Sequence, residues 1–166
     1  SNGGARETYE VIPDISTYAK SLGNGVPVAA FGGKSEVMNV IGGGSVAHAG
    51  TFGGNGVSMS AANAVLDILN EAPVLKELSI RGQKLKKGMD NILDEVGLPH
   101  QMCGHPNIQG FLITEHKVEE VRDLAYSDDA MYEKIMDHMF DRGVWVENDP
   151  REPWFLCAAH TDEIID

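Results

Sequence analysis

An α/β fold is what this sequence predicts, on three observations. Segments of strand character alternate with segments of helical period, one long stretch repeats apolar residues at helical steps, and glycine, proline and polar caps punctuate the boundaries. Residues 3 to 12 read as a polar lead-in. "AAFGG", between Pro27 and Gly32-Gly33, reads as a short buried strand. "GGGSVAHAGTFGGNG", Gly42 to Gly56, holds seven glycines and no charge, and reads as a loop that brings backbone close to something. From Val57 to Val96 the pattern is helical, with Leu75, Leu78, Leu85, Met89, Ile92, Leu93 and Val96 in register, and Pro73 divides two helices near a first-turn position. Lys84, Lys86 and Lys87 belong to the solvated face.

Farther along, "NIQGFLIT" reads as a strand, and "DDAMYEKIMDHMFDRG" as a helix capped by Asp128 or Asp129 and stopped by Gly143. "VWVEN" and "PWFLCAA" read as two more strands. Met131, Met136 and Met139 fall at helical steps and are assigned to the core. "HTDEIID" opens a helix with Thr161 as N-cap.

Composition narrows the function. With 166 residues and 42% hydrophobic content the chain suits one compact unit with a real core. A formal charge of -12 and the lack of a basic stripe argue against nucleic acid or an anionic membrane surface as partner. No apolar run approaches the roughly 20 residues that span a bilayer, so the expected location is cytoplasmic. Cys103 and Cys157 are too sparse for a disulfide framework and are read as reduced thiols. The ends read as cut: Ser1-Asn2 resembles a tag scar, and the last helix has only just begun where the sequence stops.

Two motifs are decoys. "FGGKSE" has the Gly-Lys-Ser end of a phosphate-binding P-loop, but the required earlier glycine is Val28. "HQMCGH" offers His100, Cys103 and His105 without a partnering pair, so no metal site is expected and these are read as loop residues near a strand. His48 is read as a loop residue, and His160 as a satisfied polar residue beside the last strand.

Lys20 remains. A lone lysine is usually a solvated surface group, but this one stands between the cation-free "PDISTYA" and the glycine turns of "SLGNGVP". A lysine attacks a carbonyl only as the neutral amine, which a site promotes by desolvation, and an apolar strand end would supply it.

"PDISTYAKSLGNGVPVAAFGGKSEVM" followed by "AGTFGGNGVSMSAANAVLDIL" resembles the lysine and downstream segments of the class III pyridoxal-phosphate-dependent aminotransferases, above all the glutamate-1-semialdehyde aminomutases. "RGVWVENDPREPWFLCAAHTDEI" resembles their small-domain strands, so the likeness runs from about Gly3 to Asp166. The resemblance implies the C-terminal part of a fold type I chain. Residues 3–72 would end the cofactor-binding large domain, and residues 73–166 would form the connecting helix and a truncated small α/β domain. Lys20 would carry pyridoxal 5'-phosphate as an aldimine. Thr51, in a loop shaped by Gly50 and Phe52, would bind the phosphate of the neighbouring subunit's cofactor, which implies a homodimer. Glu152 would have a weak substrate-side role. The reaction implied is amino transfer, or an internal amino shift, on an amino acid or aminoaldehyde.

Departures from the family pattern are also present. Gly23-Asn24-Gly25 replaces an all-glycine run, and "ENDPREPW" replaces the segment that bears on substrate choice. The family's aspartate for the pyridine nitrogen, its ring-stacking aromatic and its main phosphate loop have no counterpart here, so these 166 residues alone are expected to be inactive. The rival readings are a non-catalytic α/β module or dimerisation segment, and a decarboxylase or racemase on the same fold.

Overall fold

Ile15–Tyr18 (β1) and Ala30–Gly33 (β2) pair antiparallel, with Tyr18 opposite Ala30, and the eleven residues between them form the loop that holds Lys20. The computed structural model describes residues 3–166, so Ser1 and Asn2, read above as a tag scar, lie outside the described residues. The chain divides at Leu75 and Lys76 into two compact units rather than forming one.

The first unit opens with α1, Gly4–Thr8, a short helix with no buried residue within the polar lead-in. β2 corrects the expectation of a buried strand. The "AAFGG" segment is a strand, but it is not buried: it pairs with the exposed β1, and Phe31 remains 41% exposed. α2, Ser35–Gly42, leads into the glycine loop, and α3, Gly56–Glu71, follows. The Asn55 side chain caps α3 by accepting from the Val57 and Ser58 amides at 3.1 and 3.2 Å. Ser58 Oγ donates to the Pro27 carbonyl at 2.7 Å, which ties the start of α3 to the Lys20 loop. The Asn24 and Gly25 backbones sit at φ 44° and 101°, the left-handed region that asparagine and glycine tolerate.

In the second unit α4, Val74–Glu95, follows Pro73 directly and packs on a three-stranded antiparallel sheet ordered β3-β4-β5. β3 is His100–His105, β4 Ile108–Ile113 and β5 Trp154–Phe155. His100, Cys103 and His105 are therefore strand residues, not loop residues. α5, Asp129–Phe140, is capped by Asp128 Oδ1, which accepts from the Met131 amide at 3.0 Å, and it stops before Gly143 at φ 84°. α6, Asp162–Ile165, begins after Thr161, whose side chain makes no cap bond. The core comprises Leu93, Phe111, Ile113, Tyr132, Met136 and Trp154, with Met131 and Met139 packed against it. Burying such aromatic and aliphatic groups contributes roughly 1.5–3 kcal/mol each.

"VWVEN" does not form a strand. Its backbone is spoken for elsewhere: the Val144 amide donates to Met139 O and the Glu147 carbonyl accepts from the Tyr132 hydroxyl at 3.2 Å, while Val146 packs on the core. The same hydroxyl accepts from Trp154 Nε1 at 2.9 Å. "PWFLCAA" is a strand only at Trp154–Phe155, because a turn closed by His160 N donating to Cys157 O ends the pairing. His160 Nδ1 accepts from the Cys157 amide at 2.9 Å, as a satisfied polar residue should.

His100 clamps the end of α4 to the start of β3. Its side chain is 6% exposed, and its ring nitrogens lie 2.9 Å from Leu98 O and 2.9 Å from Asp90 Oδ1, both acceptors, so the full set of bonds requires the imidazolium. Burial of the ring opposes its charge, but the Leu98 carbonyl, Asp90 and Asp94 outweigh it and the histidine holds its proton above the ordinary range. The folded state thus binds this proton more tightly than the unfolded chain. The stabilisation is complete below about pH 6.5 and is lost as the pH rises through the folded value. Urea midpoints measured from pH 5.5 to 8.5 should fall across that window and flatten in His100→Gln. Equal slopes in the two proteins would disprove the clamp.

Candidate functional site

Lys20 sits two residues beyond β1, at the first position of a short 3-10 turn, Lys20–Leu22, against which α3 packs. Its φ is 52°, and Glu10 and Asn24 are the other non-glycine residues with positive φ among those described. Lysine has none of the side-chain hydrogen bonding that helps asparagine in this region, so the conformation costs on the order of 1–3 kcal/mol. Strain of this kind collects where a side chain must be aimed.

The residue is aimed into an open cleft of about 600 Å³ whose walls include Tyr18, Lys20, Ala29, Ala30, Phe31 and His48. No carboxylate lines it, in a chain of charge -12. Among the described residues the Lys20 amine has no ion pair or hydrogen bond, whereas Lys34, the next cation along, is held by Asp14 at 2.5 Å. The Lys20 side chain is exposed, which corrects the expectation that an apolar strand end desolvates it. β1 and β2 are too exposed to do so.

The glycine loop reaches the same cleft through His48, whose ring meets Phe31 edge-on with centroids 5.1 Å apart. Gly50, Thr51 and Phe52 do not line it. Thr51 lies in a turn closed by Gly53 N donating to Gly50 O at 3.0 Å, its hydroxyl has no hydrogen bond among the described residues, and Phe52 is 79% exposed. Sequence reasoning passed over His48. The one signal was a polar ring in a glycine-rich, uncharged loop, and its contact with Phe31, seventeen positions away, is tertiary.

Glu152 belongs to the second unit. It lines a cavity of about 360 Å³ on the sheet with Cys103, Leu112, Val121, Leu124 and Arg151. Arg151 is already engaged, with Nε 2.6 Å from Asp149 Oδ1 and Nη2 2.7 Å from Oδ2, and these hydrogen bonds hold the Asp149 carboxyl below the usual carboxylate range. Burial pushes the Cys103 thiol up, which makes it a poor thiolate at neutral pH. Among the described residues no group of three His, Cys, Asp or Glu side chains could hold a metal ion, and no helix is long and apolar enough to cross a membrane.

The Lys20 cleft can hold a small ligand that presents a carbonyl to an amine and an anion to hydrogen-bond donors. Its volume is in the range of roughly 300–1,000 Å³ usual for such ligands.

Comparison with known proteins supplies a context for this geometry. Residues 3–165 match the family model described as aminotransferase class-III. The glutamate-1-semialdehyde 2,1-aminomutase of Aquifex aeolicus is 35% identical over 167 residues, covering 100% of this chain and 39% of that protein. The β-phenylalanine aminotransferase of Variovorax paradoxus superposes with a TM-score of 0.86 at 26% identity, covering 98% of this chain and 38% of that one. The FumI protein of Sphingopyxis sp. MTA144, solved in its PLP internal aldimine form, superposes with a TM-score of 0.81 at 23% identity over 98% of this chain and 36% of that one. The chain thus spans about two fifths of the length of the curated relatives it matches.

Proposed function

The chain belongs to the class-III aminotransferase family, and from that premise we propose that it carries the lysine of a pyridoxal-phosphate-dependent aminotransferase or aminomutase acting on an amino acid or aminoaldehyde. The observation that carries the reading is Lys20 itself: a strained, unpaired amine in a cleft free of carboxylates. The residues present fit the cofactor. Lys20 would hold it by its aldehyde carbon, and the lack of acidic walls removes repulsion from its phosphate. When bound, pyridoxal phosphate supplies an electron sink for charge developing on a substrate carbon.

Lys20 has two tasks in this reading. Its Nζ first tethers the cofactor. Released by the incoming amine, it then takes a proton from one substrate carbon and returns it to another, which is general base and acid work. An exposed amine on a strained turn can swing between those positions. Residues 3–72 would be the end of the cofactor-binding domain and residues 73–166 the connecting helix and small domain, in which Glu152 takes a minor substrate-side role. Since no acid in the Lys20 cleft could face the pyridine nitrogen, the 166 residues by themselves would turn over nothing. The working protein would be cytoplasmic, with no nucleic-acid or membrane partner.

Thr51 supports a homodimer. It stands outside its own chain's Lys20 cleft with a free hydroxyl on a glycine loop, a donor arrangement suited to phosphate. Phe52, next to it in the chain, and Val57, in the first turn of α3, are 79% and 71% exposed, and covering such apolar side chains favours association. Sedimentation of the full-length protein is expected to give a dimer at micromolar concentration. A monomer mass independent of concentration would eliminate the shared site.

The activity is tested by adding pyridoxal phosphate to the full-length protein and following amino exchange between a panel of amino acids and a keto acid. Carbon dioxide release or racemisation without exchange would redirect the reading to a different reaction of the same cofactor. Absence of saturable cofactor absorbance would overturn it.

A further inference from the structure

We propose that His48 is a specificity-determining residue that donates a hydrogen bond to the carboxylate of the substrate in the Lys20 cleft. The inference rests on the reading of Lys20 given above and names a second residue of the same site. Four side chains lining the cleft can donate a hydrogen bond: Thr17, Tyr18, Lys20 and His48. The Lys20 amine is reserved for the cofactor and then for the proton. Of the other three, His48 alone makes an aromatic contact, edge-on to Phe31 with centroids 5.1 Å apart.

That contact leaves the imidazole nitrogens available. Neither has a hydrogen bond or ion pair among the described residues. A neutral imidazole still carries one N–H, so the donor is present at any pH at which the protein is folded. No Asp or Glu lines the cleft to compete for that proton or to repel an anion, although the chain as a whole carries a charge of -12. The ligand this combination selects is a small carboxylate held near the amine.

The packing role and the donor role of the ring are separable. His48→Phe keeps an aromatic edge against Phe31 and removes the N–H, whereas His48→Gln gives up the ring and restores a donor. The full-length protein loaded with pyridoxal phosphate is titrated calorimetrically with butanoate and with the uncharged butanamide. His48→Phe is expected to weaken butanoate about tenfold or more while leaving butanamide within about twofold, and His48→Gln to recover butanoate to within about threefold of the parent.

Unchanged butanoate affinity in His48→Phe would overturn the inference. So would equal weakening of both ligands, equal affinity of the parent for both, or a loss seen in Tyr18→Phe instead. Cofactor absorbance on the same samples separates the two levels of the argument. If it is present in the parent and absent in Lys20→Ala, a failed butanoate test removes His48 alone. If the parent lacks it, the cofactor reading fails and takes this one with it.

Discussion

Lys20→Ala in the full-length protein is expected to abolish covalent retention of pyridoxal phosphate and to lower amino exchange by on the order of 10⁴-fold or more. Positioned acid-base groups are each worth about 10²–10⁴, and Lys20 also supplies the tether. Borohydride reduction followed by peptide mapping should place the fixed cofactor on Lys20 in the parent protein and nowhere in the variant. Lys20→Arg should be as inactive as the alanine variant, since a guanidinium keeps the charge and cannot serve as the nucleophile. The backbone gives a second readout. Lys20 holds φ at 52°, a conformation glycine adopts without penalty, so Lys20→Gly should unfold later than Lys20→Ala while being equally inactive. Exchange persisting in Lys20→Ala, or label found on Lys34, would refute the assignment.

How far the site could be read from the residues differs between its parts. Lys20 stood out through a resemblance; nothing in "TYAKSL" tells that its backbone adopts a left-handed conformation, because that depends on how β1 ends and how the Lys20–Leu22 turn meets α3. The long helices were legible, since the apolar face of α4 and the cap Asp128 are local signals, whereas the Asn55 cap of α3 was not picked out. β1 and α2 were not. Each is short, and β1 alternates no apolar face that burial would impose, with only Ser16 part-buried. "VWVEN" misled in the opposite way: its composition favours a strand, but Tyr132 and the end of α5 take its backbone groups first. Propensity proposes, and the long-range hydrogen bonds decide.

Gly82 and Gly88, six residues apart on α4, are expected to respond to alanine with opposite signs. Intrinsic helix propensity favours alanine at both by about 0.5–1 kcal/mol. At Gly88 the space is open, with nothing within 4 Å of an added Cβ, so Gly88→Ala should stabilise by about that amount. At Gly82 the helix crosses the turn between β3 and β4. A Cβ there would stand 2.1 Å from Pro106 O and 2.6 Å from Pro106 C, both backbone atoms that no rotamer change can move. The helix must lift off the sheet. That displacement also stretches the bond that Gln109 Nε2 donates to Gly82 O at 3.0 Å, from a side chain that is wholly buried and has no water to turn to. Overpacking costs about 1–3 kcal/mol and a buried amide left without its partner about 1–3 more, against the propensity gain. Gly82→Ala should therefore destabilise the second unit by roughly 2–4 kcal/mol. Chemical denaturation followed by Trp154 fluorescence reports it, because Trp154 lies in the core of this unit beside Phe111. A Gly82→Ala protein as stable as the parent would mean that α4 does not approach the hairpin so closely, and Gly88→Ala on the same helix provides the reference against which that shortfall is judged.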